Sequence, residues 1–162
     1  MTVEQFRKIT ELKSWSSFAL SLLDEQELSM EAIESFGTYW IEGGHHMREQ
    51  IANDQLLIHL LRRILLPYDG GPIVLFRGEN RGRWDNRSIG LAWTSNIETA
   101  RMFGRGLNAV RFGGVLLKAC FQPEAIISGP NGHSRYLDED QFTVDPSCFP
   151  SITPIEFFPR IE

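Results

Sequence analysis

Apolar residues recur at helical spacing over the first 67 positions, and then give way to short apolar runs broken by Gly, Pro, Asn and Asp. Phe6, Ile9 and Leu12, followed by Lys13, predict a first short helix. Ser14 or Ser16 is placed to cap a second, with Phe18, Leu20, Leu22 and Leu23 on or near its apolar face. Ser29 precedes Met-Glu-Ala-Ile-Glu, a cap followed by acids that suit the positive end of a helix dipole. Ile33, Phe36, Trp40 and Ile41 continue as a core-facing stripe, and Gly43-Gly44 is expected to break that helix. The longest helical pattern runs from His45 to Leu66, with Ile51, Leu56, Leu57, Leu60, Leu61, Ile64 and Leu65 inward. Arg62-Arg63 suit its C-terminal end, and Pro67 stops it.

Beyond Pro67 the period changes. Ile73-Val-Leu-Phe76 is a run of strand-forming residues that ends on Arg77-Gly78-Glu79. Asn80 to Gly90 reads as a polar loop, and Leu91 to Ser95 as a short strand ending in two hydroxyls. Asn96 is a good N-cap for a helix over Ile97 to Gly104, where Gly104 is available to end it. Further strands are expected at Gly114–Phe121, Ala125–Ser128, Gln141–Val144 and Thr153–Phe158, with loops over 105–111 and 129–138. Helices first and strands after predict an α+β fold, N-terminal helices packed on a mostly antiparallel sheet. At 162 residues a single domain is expected, with residues 1–67 as its helical part and 68–162 as its β-rich part.

Composition adds little: apolar content of 42% and charged content of 23% are ordinary for a water-soluble domain. A formal charge of −5 argues against a generic phosphate-backbone binder. Yet Arg77, Arg81, Arg83 and Arg87 concentrate positive charge where the first strand ends. Two cysteines, Cys120 and Cys148, form no framework and no metal spacing, so a reduced, cytoplasmic setting is expected. The N-terminus has no signal-peptide pattern, and no run approaches the roughly 20 apolar residues of a membrane span. His45 and His46 are adjacent, and neighbours on a helix cannot both face one metal; no metal role is assigned.

The chemistry lies in three pieces in fixed order. Arg77 ends a buried-type strand and offers a rigid fork of donors suited to phosphate or carboxylate, with Gly78 beside it. Ala92-Trp93-Thr94-Ser95 leads into a helix bearing Ala100 and Phe103. Asp138-Glu139-Asp140-Gln141-Phe-Thr-Val-Asp-Pro146 closes the set. This order, spanning roughly Ile73 to Pro146, resembles the ADP-ribosyltransferase superfamily of the Arg-Ser-Glu type, found in bacterial toxins, effectors and phage enzymes. The resemblance implies a split β-sheet and NAD as co-substrate without a metal. It implies that Arg77 grips the pyrophosphate or ribose and that Thr94 and Ser95 order the site. Gly78, Trp93 and Phe103 would lie near the dinucleotide, and His133, Arg135 and Tyr136 would meet a macromolecular acceptor, protein or DNA/RNA. An antitoxin or inhibitor protein is the further partner such a toxin-like enzyme implies.

The chain departs from that pattern at two places. Ala92 stands where the family usually has serine. The Glu-x-Glu pair falls on Glu139-Asp140-Gln141, so the second, catalytic position is glutamine. Residues 139 and 141 are expected on one face of a strand. A glutamine can bond a ribose hydroxyl but offers no charge to an oxocarbenium-like centre. Three explanations stand open: Gln141 replaces a natural glutamate in a disarmed form, Glu139 carries the charge by a two-residue shift, or the protein is a natural pseudoenzyme. Two other functions compete with transfer: a non-catalytic module of the same fold holding a protein partner, and an NAD glycohydrolase with water as acceptor.

Overall fold

The computed structural model describes all 162 residues, which divide into two compact units, Met1–Pro67 and Tyr68–Glu162. The class is α+β, and every strand pairing in its single sheet is antiparallel. No helix is long and apolar enough to cross a membrane.

The first unit has four helices, α1 (Val3–Glu11), α2 (Trp15–Asp24), α3 (Met30–Ile51) and α4 (Asp54–Ile64). Thr2 and Gln5 form a reciprocal capping box at α1, and Ser29 caps α3 by accepting from the Ala32 N–H. Phe6, Trp15, Phe36 and Tyr39 build an aromatic core, with Phe6 stacked on Trp15 at 6.0 Å and edge-on to Phe36 at 5.7 Å. The Trp15 indole N–H donates to Thr10 Oγ1 at 2.7 Å, and Thr10 Oγ1 meets the Tyr39 hydroxyl in turn. The polar handles of the buried rings are thereby satisfied.

Two helix boundaries differ from the sequence expectation. Gly43-Gly44 does not break α3, which runs on to Ile51. Both glycines are buried, and a Cβ on either would run into the ring of the residue four positions earlier, Tyr39 or Trp40. Their smallness serves ring packing, not chain reversal. The break falls instead at Ala52, in the left-handed region at φ 50°, followed by Asn53, whose side chain accepts from the Leu56 N–H to start α4. Arg48 clasps Asp54 across this turn with two hydrogen bonds of 3.0 and 2.9 Å.

The second unit contains β1 (Ile73–Asn80), α5 (Arg81–Asp85), β2 (Ala92–Thr94), α6 (Ile97–Arg105), β3 (Gly114–Phe121), β4 (Ile126–Ser128), α7 (Gly132–Tyr136), β5 (Gln141–Val144) and β6 (Thr153–Phe158). The sheet order is β4-β5-β2-β1-β3-β6. β1 and β3 pair along their whole length, from Ile73↔Phe121 to Asn80↔Gly114. β1 and β2 share one register pair, Phe76↔Thr94. Two three-stranded halves thus meet at a narrow seam. Leu75, Trp93, Val115, Leu117, Phe121, Phe142 and Val144 form the core on one face. The short α5 and α7 occupy segments expected as loops; five residues are too few to show a helical period.

On the other face α6 crosses β1 and β3 with no space for a side chain between the backbones. A Cβ on Gly78 would strike the Ala100 carbonyl oxygen and the Gly104 nitrogen, and one on Gly114 would strike the Gly104 carbonyl. Gly104 is therefore a contact residue inside α6, which ends one residue further on, before Gly106. Replacing Gly78 by Ala is expected to destabilise the fold by about 3 kcal/mol or more, because the obstacle is backbone. Gly71→Ala, with nothing within 4 Å of the added methyl, should change stability by less than about 0.5 kcal/mol. Urea unfolding of the two variants checks the contrast.

Candidate functional site

β1 ends at the seam, and its alternation puts Leu75, Arg77 and Glu79 on the core-facing side. Glu79 is fully buried and the Arg77 side chain is 13% exposed. Arg77 Nε donates to Glu79 Oε2 at 2.6 Å, and Nη1 donates to the Ala92 carbonyl at 2.7 Å. Glu79 also accepts from the Gly90 N–H at 2.9 Å and the Asn80 N–H at 2.8 Å. Gly90 has no side chain because the guanidinium lies where its Cβ would be. Burial would raise the Glu79 carboxyl above its ordinary value, but the Arg77 charge, its hydrogen bond and the two backbone N–H groups outweigh it and hold it below. Arg77 Nη2 has no protein hydrogen bond, and it is not sealed from solvent. Nη2 packs against Gly90.

The hydroxyl and acidic pieces lie on β2 and β5. Phe76, Thr94 and Gln141 stand in register across β1, β2 and β5, so their side chains share the face opposite Arg77. Thr94 is buried, and its Oγ1 accepts from the Asn96 N–H at 3.1 Å. Ser95 is exposed just beyond the strand, and Phe103 is half-buried on α6. Trp93 is in the core, 5.0 Å from the Phe121 ring, with its indole N–H donating to the Gly90 carbonyl at 3.1 Å. Gly78 is taken up by the crossing of α6.

Glu139 and Gln141 do not share a strand face. β5 begins at Gln141, and both Asp138 (φ 58°) and Asp140 (φ 43°) are left-handed, so the chain turns at each. Alternation fails where the backbone leaves the extended region. The Glu139 N–H instead bonds back to the Ser134 carbonyl at 2.9 Å, which ties residue 139 to α7. Burial pushes the Glu139 carboxyl above its ordinary value, and nearby His133 opposes the rise. Of the expected acceptor-side residues, His133 is half-buried, while Arg135 and Tyr136 are exposed on α7. Thr99 on α6 donates to the Asp138 carbonyl at 3.4 Å, joining the helix of the second piece to the turn of the third.

Sequence reasoning missed Glu79 as a site residue. Its signal was present as Arg-x-Glu on one strand, since residues two apart share a face. The chain matches no protein-family model, no curated protein and no solved structure.

The lowered carboxyl of Glu79 has a consequence for acid stability. A group held below its unfolded value stabilises the fold above that value, near pH 4.5, and the benefit is lost as pH falls through the folded value. Glu79→Gln should cost about 3–5 kcal/mol at pH 7, because it leaves the Arg77 charge unmatched. The penalty should shrink below pH 4.5, and thermal melts of both proteins across pH 3–7 would show it.

Proposed function

We propose that the Tyr68–Glu162 unit is an ADP-ribosyltransferase-type domain that takes NAD as substrate and passes ADP-ribose to a macromolecular acceptor. The observation that carries this is topological. Three motif pieces separated by up to some sixty residues of chain lie on three adjacent strands, β1, β2 and β5, around the seam. The donor set fits a dinucleotide at one end: Arg77 keeps Nη2 unfilled, and a guanidinium edge suits a pyrophosphate. At the other end the fit is incomplete, because Gln141 is uncharged and Glu139 sits in a turn.

In such a transfer the bond from ribose to nicotinamide breaks, and nicotinamide leaves with the electron pair. The acceptor then forms its bond to the anomeric carbon and loses a proton. This chain's contribution is to hold the pyrophosphate through Arg77, which Glu79 aims, and the ribose hydroxyls through Thr94, Ser95 and Gln141. Of the carboxylates in the acidic piece, Glu139 is the one the family pattern assigns, and it would have to move from its turn to carry the charge that develops only in the transition state. The exposed Arg135 and Tyr136 on α7 would then face the acceptor, and an inhibitor protein covering the same end would block it.

A second function, a non-catalytic module holding a protein partner, is favoured by a specific observation: the matched Arg77–Glu79 pair and the neutral Gln141 leave no free carboxylate on the Thr94 face. Calorimetry with NAD and transfer of labelled ADP-ribose separate the two. The transferase predicts NAD binding that weakens at least tenfold in an Arg77→Met/Glu79→Gln double variant, which removes the pair without leaving a lone charge. It also predicts that Gln141→Glu raises transfer on the order of a hundredfold. Absence of NAD binding at millimolar concentration in the wild type would remove it in favour of the module.

A further inference from the structure

Three segments meet where β1 runs out into α5: residues 80–87, 109–113 and 157–161. The Arg81 N–H donates to the Gly113 carbonyl at 2.9 Å, and the Arg111 N–H donates to the Ile161 carbonyl at 3.0 Å. Val110 bridges Ile161, and the Phe112 ring lies against Gly82. This end of the sheet presents Arg81, Arg83, Arg87 and Arg111, all exposed and none in an ion pair. At this same end Arg160 pairs with Glu162 at 3.6 Å; elsewhere Arg7, Arg48, Arg77 and Arg101 each hold a carboxylate, while Arg63, Arg105 and Arg135 do not. Two rings are more than half exposed at this end: Phe112 at 64% and Phe157 at 52%, the latter with one face under an arginine. The Arg81 guanidinium lies 4.9 Å over the Phe157 ring, and that of Arg87 lies 4.1 Å over Trp84.

A solvated charged face accounts for the arginines but not for the rings, which lose free energy in water. A lipid or apolar protein partner accounts for the rings but not for four uncompensated cations. Arginines without a carboxylate, two of them already stacked on rings, beside half-exposed aromatic side chains suit a ligand that is itself anionic along its length and aromatic along its side. We propose that this end of the sheet binds single-stranded nucleic acid, with phosphates on the arginines and unstacked bases on Phe112 and Phe157. A duplex keeps its base faces stacked inside and offers nothing to the rings. The proposal stands apart from NAD chemistry; where both hold, it makes the acceptor a nucleic acid delivered beside Arg77.

The test uses the full chain without NAD, so its outcome is separate from that of transfer. Fluorescence anisotropy with labelled (dT)12, the equivalent oligo-U and a 12-base-pair duplex should show tighter binding of both single strands. The slope of log K against log salt should be about −2 to −3, since each phosphate contact on a single strand contributes about −0.7. Arg83→Ala with Arg111→Asn should reduce the slope by about 1.4; Asn suits the left-handed backbone at 111 (φ 71°). Phe112→Ala and Phe157→Thr should each weaken binding about tenfold with little change in slope. Duplex binding as tight as single-strand binding, or equal competition by polyglutamate, would overturn the proposal. So would wild-type chain that binds no oligonucleotide at low salt, or well-folded variants that bind as wild type does.

Discussion

At the junction of β1 and β2, side chains do the work that a backbone ladder does between the other strands. The two strands share one register pair, whereas β1 and β3 share a full ladder. Arg77 reaches from β1 to the Ala92 carbonyl, and Glu79 reaches from β1 to the Gly90 N–H. These two bonds, locked to each other through Nε and Oε2, pin the start of β2 to the end of β1. A carboxylate with no exposure costs several kcal/mol to bury unless its oxygens are filled, and here three donors fill them. Without the pair the halves β4-β5-β2 and β1-β3-β6 would be held by one register pair and by apolar packing.

That use of Arg77 shapes what the site can do. An arginine this deeply buried needs an acid whether or not it also meets a ligand, and here Nε goes to Glu79 and Nη1 to the Ala92 carbonyl, which leaves Nη2. The observed division leaves Nη2 of a rigid, pre-aimed guanidinium without a hydrogen bond. An anion meeting it would bind with little further ordering cost, because the rotamer is already fixed by Glu79 and Ala92. The same arrangement keeps the cation on the face of the sheet opposite Thr94 and Gln141. A ligand that touches both has to pass the seam where the halves part, not lie across a flat sheet.

The sequence showed the strands well and the turns poorly, for physical reasons that differ by element. β1, β3 and β6 were legible because apolar and β-branched residues cluster there and Pro or Gly bounds them. Gly43-Gly44 misled because glycine has two uses, and space for the Tyr39 and Trp40 rings is invisible without knowing what lies four residues back on the same helix face. The α5 and α7 helices escaped because one turn has no period. Position 139 was lost because the left-handed backbone at Asp138 and Asp140 has no strict signature; aspartate permits it without demanding it. Glu79 was readable as the partner of Arg77, because residues two apart on a strand share a face.

The distribution of charge separates two kinds of arginine in one short stretch. Acidic residues outnumber basic ones, 21 to 16, so an unpaired arginine here does not reflect a shortage of carboxylates. Arg77 has its own buried glutamate, while Arg81, Arg83, Arg87 and Arg111 have none, although they flank the same strand end. Against an overall charge of −5, four free cations gathered at one end create a local field opposite to that of the rest of the molecule. An anionic polymer would be drawn to that end. It would arrive at the strand end where Arg77 is held in place by its buried glutamate.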